Sequence, residues 1–512
     1  MSALDSETKP VLIPRSLEIY RFLGILDDYL CVSRPMPSMR SYSLPGGTEP
    51  MKTWKLIEHP APTIDRPLVG ESRNVLGQYR LEGLLRDHLM KHGVHVELST
   101  ELVTFTQDSH DVNVTLIKNG LEEQIRVAYV IGADGGRGSS WEPPSRVRRK
   151  KETDKYGPML SLKAFLLSVT MRATGDHEGH FHVGIVGQNF DPMDLTDEKK
   201  FVNFIHENTE RCDIDFKKFL SMTYWKPKMR MVNKLQSGRA FVVGDAAHIH
   251  SPTGGQGLNT SIQDSFNLAW KLALVYKGLA SPDLLASFDI ERLPVVAVML
   301  ATTTTLYGHA IAEETHRNSG DGQPTESSGS GFLKWRNASL LQLDINYRWS
   351  PMVLDARGNG GLDDVALKAR AYVGYPGEPV HAGDRAPDAP GLVDAFGQNT
   401  QLHHVFKPTL HTFLIFLSAT SGNAEETESI IQTVRTFPQG TFQIVLLGRN
   451  SVPQSRKGIT TYKDANGHAF NTYDIEEGKV TVMAVRPDGY VGAFVYDVAG
   501  LRMYFSRIFL NV

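Results

Sequence analysis

The stretch from residue 238 to residue 278 constrains the fold more than any other part of the chain. It reads GRAFVVGDAAHIHSPTGGQGLNTSIQDSFNLAWKLALVYKG. The apolar run Ala240–Val243 predicts a short buried strand, and Gly244-Asp245 follows at its carboxyl end. A glycine-rich loop then precedes apolar residues spaced three and four apart, which predicts a long helix that ends near Gly278. The sequence therefore predicts a strand, an acidic turn, a glycine loop and a helix in succession.

This succession of elements is suited to an anionic or polyhydroxylated ligand. The first backbone N–H groups of a helix have no partner within the helix and carry a partial positive charge. The Asp245 carboxylate would accept a hydrogen bond from a ligand hydroxyl, while the loop amides would donate. A glycine-rich turn with a purely structural role explains the same few residues equally well when they are taken alone.

The complete string favours the ligand site, because it resembles the second flavin-binding motif of the class A flavoprotein monooxygenases. These are the aromatic hydroxylases related to phenol 2-monooxygenase. The resemblance implies FAD as the cofactor and implies that Asp245 holds its ribityl chain. It also implies that a loop of five residues lies along the flavin. These residues are Gly255, Gln256, Gly257, Leu258 and Asn259.

Three more stretches resemble segments of the same family. PRSLEIYRFLGI, part of a helix predicted over residues 15–30, resembles a helix in which Arg15 lies near the cofactor. GQYRLEGLLRDHL predicts a helix over residues 78–89 and resembles a segment in which Gln78 reaches the cofactor. VIGADGGR predicts a strand that stops at an acidic turn. The resemblance there implies that Asp134 and Arg137 bind FAD and help to pass NAD(P)H.

The start of the chain departs from the family pattern. A flavoprotein of this type should begin with a strand, a GxGxxG turn and a helix, followed about twenty positions on by an acid for the adenosine ribose. The sequence contains no GxGxxG, and Asp5 and Glu7 lie too close to Arg15 to replace that acid. Two explanations are open: the sequence lacks the first βαβ unit, or the protein has lost adenosine binding. The well-kept later motifs favour the first.

The remaining patterns predict further strands and helices. Alternating apolar residues predict strands over residues 94–98, 112–117 and 124–127, with a hairpin turn at Asn119-Gly120. Separate helices are expected to begin at Asp283 and at Pro294.

The last part of the chain resembles the thioredoxin-like C-terminal domain of phenol 2-monooxygenase. The predicted elements there are the strands Phe413–Leu417, Phe442–Gly448, Val480–Val485 and Tyr490–Phe494 and the helices Glu425–Phe437 and Ala499–Phe509. Since this region contains no cysteine, it is predicted to serve as an interaction or dimerisation module and not in dithiol chemistry.

We therefore predict an α/β protein with three parts. An FAD-binding Rossmann-like domain, incomplete at its N-terminus, carries an inserted β-sheet substrate domain and is followed by the thioredoxin-like domain. The predicted boundaries are 1–140 and 236–350 for the FAD-binding domain, 141–235 for a shortened substrate sheet, 351–390 for a linker and 391–512 for the thioredoxin-like domain.

Composition argues against several other classes of protein. Lys and Arg number 54 against 57 Asp and Glu, so no basic excess indicates nucleic acid. No apolar run reaches the ~18 residues of a membrane span, and the first residues contain no signal-peptide core. The two cysteines cannot form a disulfide framework. Histidines at 177, 180 and 182 match no zinc spacing, so no metal is expected. These features predict a cytoplasmic protein.

The resemblance implies a monooxygenase that uses NAD(P)H and O2 to hydroxylate a small phenolic or related aromatic substrate. It is compatible with a homodimer formed through the C-terminal domain. No catalytic acid or base is assigned, because packing explains His248 and Pro252 equally well. The alternative is a degenerate, flavin-free interaction protein retained for its thioredoxin-like module. The missing GxGxxG favours that alternative, while the intact acidic-glycine motifs oppose it.

Overall fold

The computed structural model gives the fold of most of the chain. It describes residues 11–36, 38–42, 46–55, 60–71, 74–136, 167–173, 180–187, 190–224, 229–250, 255–317, 338–358, 360–417 and 424–510. Arg137, His177 and Pro252 lie outside these residues. Within them, no helix combines the length and apolar character that crossing a bilayer requires.

The described residues form helices along the whole chain. They are α1 Pro14–Leu23, α2 Leu26–Val32, α3 Gln78–Lys91, α4 Glu198–Thr209, α5 Gln256–Tyr276, α6 Asp283–Arg317, α7 Asp364–Ala369, α8 Leu402–Val405, α9 Ala424–Arg435, α10 His468–Thr472 and α11 Val498–Ser506.

The strands fall into several small sheets and one large one. The strands of the first two thirds are β1 Arg34–Pro35, β2 Met39–Tyr42, β3 Pro50–Trp54, β4 Asn74–Val75, β5 Thr100–Gln107, β6 Val112–Lys118, β7 Leu121–Val127, β8 Val130–Gly132, β9 Leu167–Ala173, β10 Phe181–Gly187, β11 Arg230–Met231, β12 Gln236–Ser237, β13 Ala240–Val242 and β14 His248–Ile249. Those of the last third are β15 Leu354–Asp355, β16 Pro390–Val393, β17 Asn399–Gln401, β18 His411–Leu417, β19 Phe442–Gly448, β20 Ile459–Asp464, β21 Thr481–Val485 and β22 Val491–Val495.

Three sequence predictions of secondary structure are wrong. The helix expected over residues 15–30 is two helices, because Gly24 takes a left-handed φ of 73° and ends α1. Residues 94–98 are not a strand. Their apolar side chains are largely exposed, and among the described residues no strand pairs with them. Pro294 lies inside the single helix α6. Buried residues on its C-terminal side, including Val295 and Met299, hold that helix in the core.

The strand–turn–helix prediction around residue 245 is confirmed at the level of secondary structure. β13 is fully buried and pairs in parallel with β8, while β12 lies antiparallel on its other side. α5 follows and ends at Tyr276, just before Gly278, whose φ is 70°. The hairpin turn at Asn119-Gly120 is also confirmed, since both residues have positive φ between β6 and β7. The two parallel strands place their carboxyl ends at one edge of the small sheet.

The C-terminal part is built on a mixed eight-stranded sheet. Its strand order is β15-β22-β21-β18-β19-β20-β16-β17, with β18 parallel to β19 and antiparallel to β21. The strands and helices predicted beyond residue 410 are confirmed to within three residues at each end. One strand of this sheet, β15, precedes residue 391, where the thioredoxin-like domain was predicted to begin. Leu354 of β15 pairs with Ala493 of β22.

Helix α5 shares its hydrophobic core with this large sheet. Trp270 and Leu274 of α5 belong to one buried cluster with Phe413 of β18 and Phe505 of α11. Residues of α5 also belong to the core of the small sheet. Since protein interiors are close-packed and transmit displacement, α5 couples the cores of the two sheets. The predicted boundary at residue 391 remains a prediction, but the two sides of it are packed against each other.

Candidate functional site

Two acidic turns meet at the carboxyl edge of the small sheet. The amide of Val243 donates to the carbonyl of Gly132 at 3.0 Å, which extends the parallel pairing of β13 and β8 to their ends. A Cβ atom at Gly136 would lie 2.6 Å from Ile249 Cδ1 and 3.8 Å from the carbonyl oxygen of Asp245. The turn that follows Asp134 is therefore packed against the segment that follows Asp245. Ligands of α/β sheets bind at such an edge.

The turn at Asp245 presents that residue to solvent. From residue 240 to residue 248 every residue is buried except Asp245, which is exposed. Gly244 has a φ of 60°, and a Cβ there would lie 2.6 Å from Ser261 Oγ of α5. Only glycine combines this backbone conformation with such a close approach to the helix. The turn therefore packs closely against α5, and the Asp245 side chain is exposed to solvent.

The Asp245 carboxylate lies beside the first turn of α5. Gly255 precedes the helix with a φ of 58°, and no side chain among the described residues caps the helix start. A Cβ atom at Gly257 would lie 3.8 Å from Asp245 Oδ1 and 2.6 Å from His250 Nε2. Because Gly257 has no side chain, the His250 imidazole and the Asp245 carboxylate lie close to the helix backbone there, and the gap between the three groups is too narrow for a Cβ atom unless the imidazole shifts. The conformational freedom of glycine is needed at Gly255, whereas Gly257 is helical.

Two of the predicted loop residues point their side chains away from this gap. Asn259 accepts a hydrogen bond from Ile13 N at 3.0 Å and donates to Val11 O at 2.9 Å. Gln256 is fully buried and accepts from Gln342 Nε2 at 2.7 Å. These side chains hold the first turn of α5 against other segments. Contact with a ligand at this turn would come from its backbone. Leu258 packs beside the apolar cluster that includes Leu17 and Leu81.

Arg15 and Gln78 lie in different surroundings from each other. Arg15 is fully buried, and its guanidinium donates to Glu18 Oε2 at 2.9 Å and to Asp488 O at 2.7 Å. These contacts tie α1 to the C-terminal part. Gln78 is exposed at the start of α3, where its amide donates to Glu82 Oε1 at 2.9 Å. The roles predicted for both residues at the cofactor stay predictions, as does that of Arg137 outside the described residues.

Comparison with known families identifies the family of the chain. The FAD binding domain family matches residues 10–157 and 142–303, which together make up more than half of the chain. The chain belongs to the class A FAD-dependent aromatic monooxygenases. The phenol hydroxylase C-terminal dimerisation domain matches residues 450–512 of this monooxygenase.

Full-length relatives and solved structures agree with that assignment. A flavin-dependent monooxygenase of Mycobacteroides abscessus is 28% identical over 97% of this chain and 91% of its own length. Pentachlorophenol 4-monooxygenase of Sphingobium chlorophenolicum is 27% identical over 82% of this chain and 75% of its own length. The flavin-dependent monooxygenase PieE, solved with FAD and substrate, has the same fold, with a TM-score of 0.68 at 21% identity over 98% of this chain and 92% of its own. The protein is an enzyme, and FAD is its cofactor.

The residues at the candidate site fit one end of FAD. The exposed carboxylate of Asp245 can accept from a ribityl hydroxyl, and the backbone amides at the start of α5, which no described side chain caps, can donate to a flat ring system that lies against this turn. The partial positive charge of the 21-residue helix α5 suits the electron-rich carbonyl side of the ring. For the adenosine diphosphate end, the described residues offer no second glycine-rich strand-to-helix turn.

A buried acid that sequence analysis did not identify stands behind the Asp245 turn. Asp264 Oδ2 accepts from Gly244 N at 3.1 Å and lies 2.7 Å from His248 Nε2, and its Oδ1 accepts from Arg292 Nε at 2.7 Å. Burial raises the pKa of Asp264, but Arg292 and His248 outweigh it and hold that pKa below the ordinary value. The apolar spacing that predicts α5 gave no signal for this carboxylate, because Asp264 is not part of it. Its partners could not be read from that spacing.

A second buried ionic cluster joins α5 and α6 to the large sheet. Lys271 Nζ donates to Glu291 Oε2 at 2.7 Å, and Arg486 donates to both oxygens of Glu291 at 2.7 and 2.9 Å. Arg486 also donates to Asp488 at 2.5 Å. Burial, with Arg486 nearby, lowers the pKa of Lys271 to about 8 despite Glu291. Burial raises the pKa of Glu291, but Arg486 and Lys271 bring it far below the ordinary value.

Proposed function

We propose that this monooxygenase hydroxylates a phenolic or related aromatic ring with NAD(P)H as the reductant and O2 as the oxygen source. The observation that carries the proposal is the meeting of the two acidic turns with the first turn of α5, around the gap beside Gly257. Bound FAD would supply the redox chemistry, as cofactors do in such enzymes. The protein's contribution is to bind and orient the ring systems.

Each residue at the gap has a proposed role. Asp245 accepts from a ribityl hydroxyl, and the backbone around Gly255 and Gly257 donates to the flavin. Asp134, exposed at the neighbouring strand end, holds a second part of the cofactor. Arg15 and Gln78 were proposed as cofactor contacts from the family resemblance. Of these two, the exposed position of Gln78 suits that role better than the buried ion pair of Arg15.

The adenosine end of FAD needs a further unit in this proposal. Strand β8 pairs with β13, and within the described residues nothing pairs with its other edge, where Ile131 is 45% exposed. An open strand edge with an exposed apolar side chain can accept another strand. We propose that a strand–GxGxxG–helix unit, which the given sequence does not contain, completes the sheet there. Pairing at this edge would place a glycine-rich turn beside Asp134.

We further propose the organisation of the remaining parts. The C-terminal sheet is assigned as a thioredoxin-like domain that supports a homodimer, consistent with the match to a dimerisation domain. The antiparallel pair of strands β9 and β10 is assigned to the substrate sheet. Fungal-type phenol hydroxylases remain the proposed subgroup, on the sequence resemblance alone.

The expected result for the unmodified chain is a bound flavin. After purification with excess FAD and desalting, the folded protein should show the visible absorption bands of oxidised flavin. Addition of NADH or NADPH should bleach those bands, and a panel of phenols should accelerate the bleaching for accepted substrates. A folded sample without the bands would favour the flavin-free interaction protein. Recovery of the bands after addition of an N-terminal GxGxxG unit would instead support the incomplete sheet.

Replacement of Asp245 by alanine should raise the dissociation constant for FAD roughly tenfold. A hydrogen bond to a charged group contributes about 1.5 kcal/mol at the lower end of its range, which suits a carboxylate that is exposed before the ligand binds. The measurement is a fluorescence titration with FAD, paired with a thermal melt without ligand. Unchanged affinity in the variant would remove Asp245 from the ribityl site.

A further inference from the structure

The carboxylate of Asp264 contacts the Asp245 turn on both sides of Asp245. Asp264 Oδ2 accepts from Gly244 N, one residue before Asp245, and contacts His248 Nε2, three residues after it. Both Asp264 and His248 have fully buried side chains. Asp264 itself does not face the gap beside Gly257, since it lies two helical turns further along α5 and is fully buried.

The Asp264 carboxylate is in turn fixed by a cation from α6. Arg292 Nε donates to its second oxygen at 2.7 Å, and neither side chain is exposed. Arg292 also donates to Tyr347 Oη at 3.0 Å and lies 3.4 Å from the carbonyl of Thr260. Both oxygens are therefore occupied, and the carboxylate has little freedom to move. A side chain held this tightly can set the geometry of a neighbouring functional group.

We propose that Asp264 is a positioning residue for the flavin, which acts by fixing the direction of Asp245. The proposal rests on the proposed flavin site, because it assigns the second layer of that site. The turn needs such a support, since Gly244 is in a left-handed conformation and a free glycine populates other conformations as readily. Without the two bonds to Asp264, the Asp245 carboxylate loses its fixed position relative to the start of α5.

A double-mutant cycle between Asp264 and Asp245 tests this inference. Asp264→Asn keeps the size of the side chain but removes the charge and one acceptor, and it should raise the dissociation constant for FAD roughly tenfold. Asp245→Ala should then add less than twofold in the Asp264→Asn background, although it costs about tenfold alone. The readout is a fluorescence titration with FAD, so turnover is not required.

A matched control comes from Asp289 on α6. Its carboxylate also accepts a backbone amide, that of Leu235 at 2.7 Å, but within the described residues no hydrogen bond or ion pair joins it to the Asp245 turn. Asp289→Asn should leave FAD affinity within about twofold of the unmodified chain. If Asp264→Asn does not fold because Arg292 is left unpaired, the cycle is run on Asp264→Asn/Arg292→Gln, where both charges are removed.

The outcomes separate the inference from the function on which it rests. FAD affinity that is unchanged in Asp264→Asn, or a full tenfold effect of Asp245→Ala in both backgrounds, would overturn the positioning role. Loss of thermal stability without loss of affinity would assign Asp264 to packing alone, and would overturn it as well. A chain that binds no FAD even after addition of an N-terminal GxGxxG unit would overturn the flavin site itself.

Discussion

Replacement of Glu291 by glutamine should lower the free energy of unfolding by about 3–5 kcal/mol. Glu291 accepts from Lys271 and twice from Arg486, and all three side chains have no exposed surface. The substitution leaves two buried cations with Asp488 as the remaining acid of the cluster. Chemical denaturation at pH 7, followed by far-ultraviolet circular dichroism, measures the change.

The pH dependence of this effect follows from Lys271. Its pKa in the folded protein, about 8, is below its ordinary value of 10.5, and removal of Glu291 should lower it further. Between the variant's lower pKa and about 8, the folded variant has already lost the proton while the unmodified folded protein keeps it. In that window the stability of the variant rises with pH, and the difference between the two proteins narrows.

A surface pair supplies the control. Glu428 accepts from Arg456 at 2.6 Å, but both side chains are partly exposed. Glu428→Gln should therefore change the free energy of unfolding by less than about 1 kcal/mol. Equal effects of the two substitutions would mean that the buried cluster does not stabilise the fold. The cluster spans α5, α6 and the large sheet, so unfolding should also occur in one transition.

The parts of the site that lie close together in sequence were predictable. The apolar run before Gly244, the exposed acid and the glycines before α5 are local features, each with a local physical reason. The contacts that hold the site in place were not predictable, because they join positions that are far apart in the sequence. Asp264 and Arg292 are 28 positions apart, and Arg15 reaches Asp488 across 473. Periodicity does not identify the partner of a buried polar residue.

The errors in secondary structure have the same origin. Pro294 removes a hydrogen-bond donor and normally ends a helix, yet α6 continues because the residues around it are packed in the core. The alternation of apolar and polar residues over 94–98 is typical of a strand. A strand needs a neighbouring strand for its backbone hydrogen bonds, and the described residues supply none. In both cases tertiary contacts decided the outcome over local preference.

Replacement of Gly257 by valine should raise the dissociation constant for FAD about a hundredfold while the chain stays folded. The first added carbon would lie 2.6 Å from His250 Nε2, so the imidazole must move, and the branched side chain and the displaced imidazole would occupy space beside Asp245. Overpacking of this kind costs up to about 3 kcal/mol. A loss of that size in the free energy of flavin binding corresponds to about a hundredfold in affinity. The variant is titrated with FAD and melted in parallel without ligand.

The matched control is Gly83→Val, also within a helix. A Cβ at Gly83 meets nothing within 4 Å, so this variant should bind FAD as the unmodified chain does. If Gly257→Val binds FAD normally, the first turn of α5 does not contact the flavin, and the proposed orientation of the site is wrong. If it unfolds the chain, Gly257 serves the packing of His250 against α5. Since α5 shares its core with the large sheet, such unfolding would include the C-terminal part.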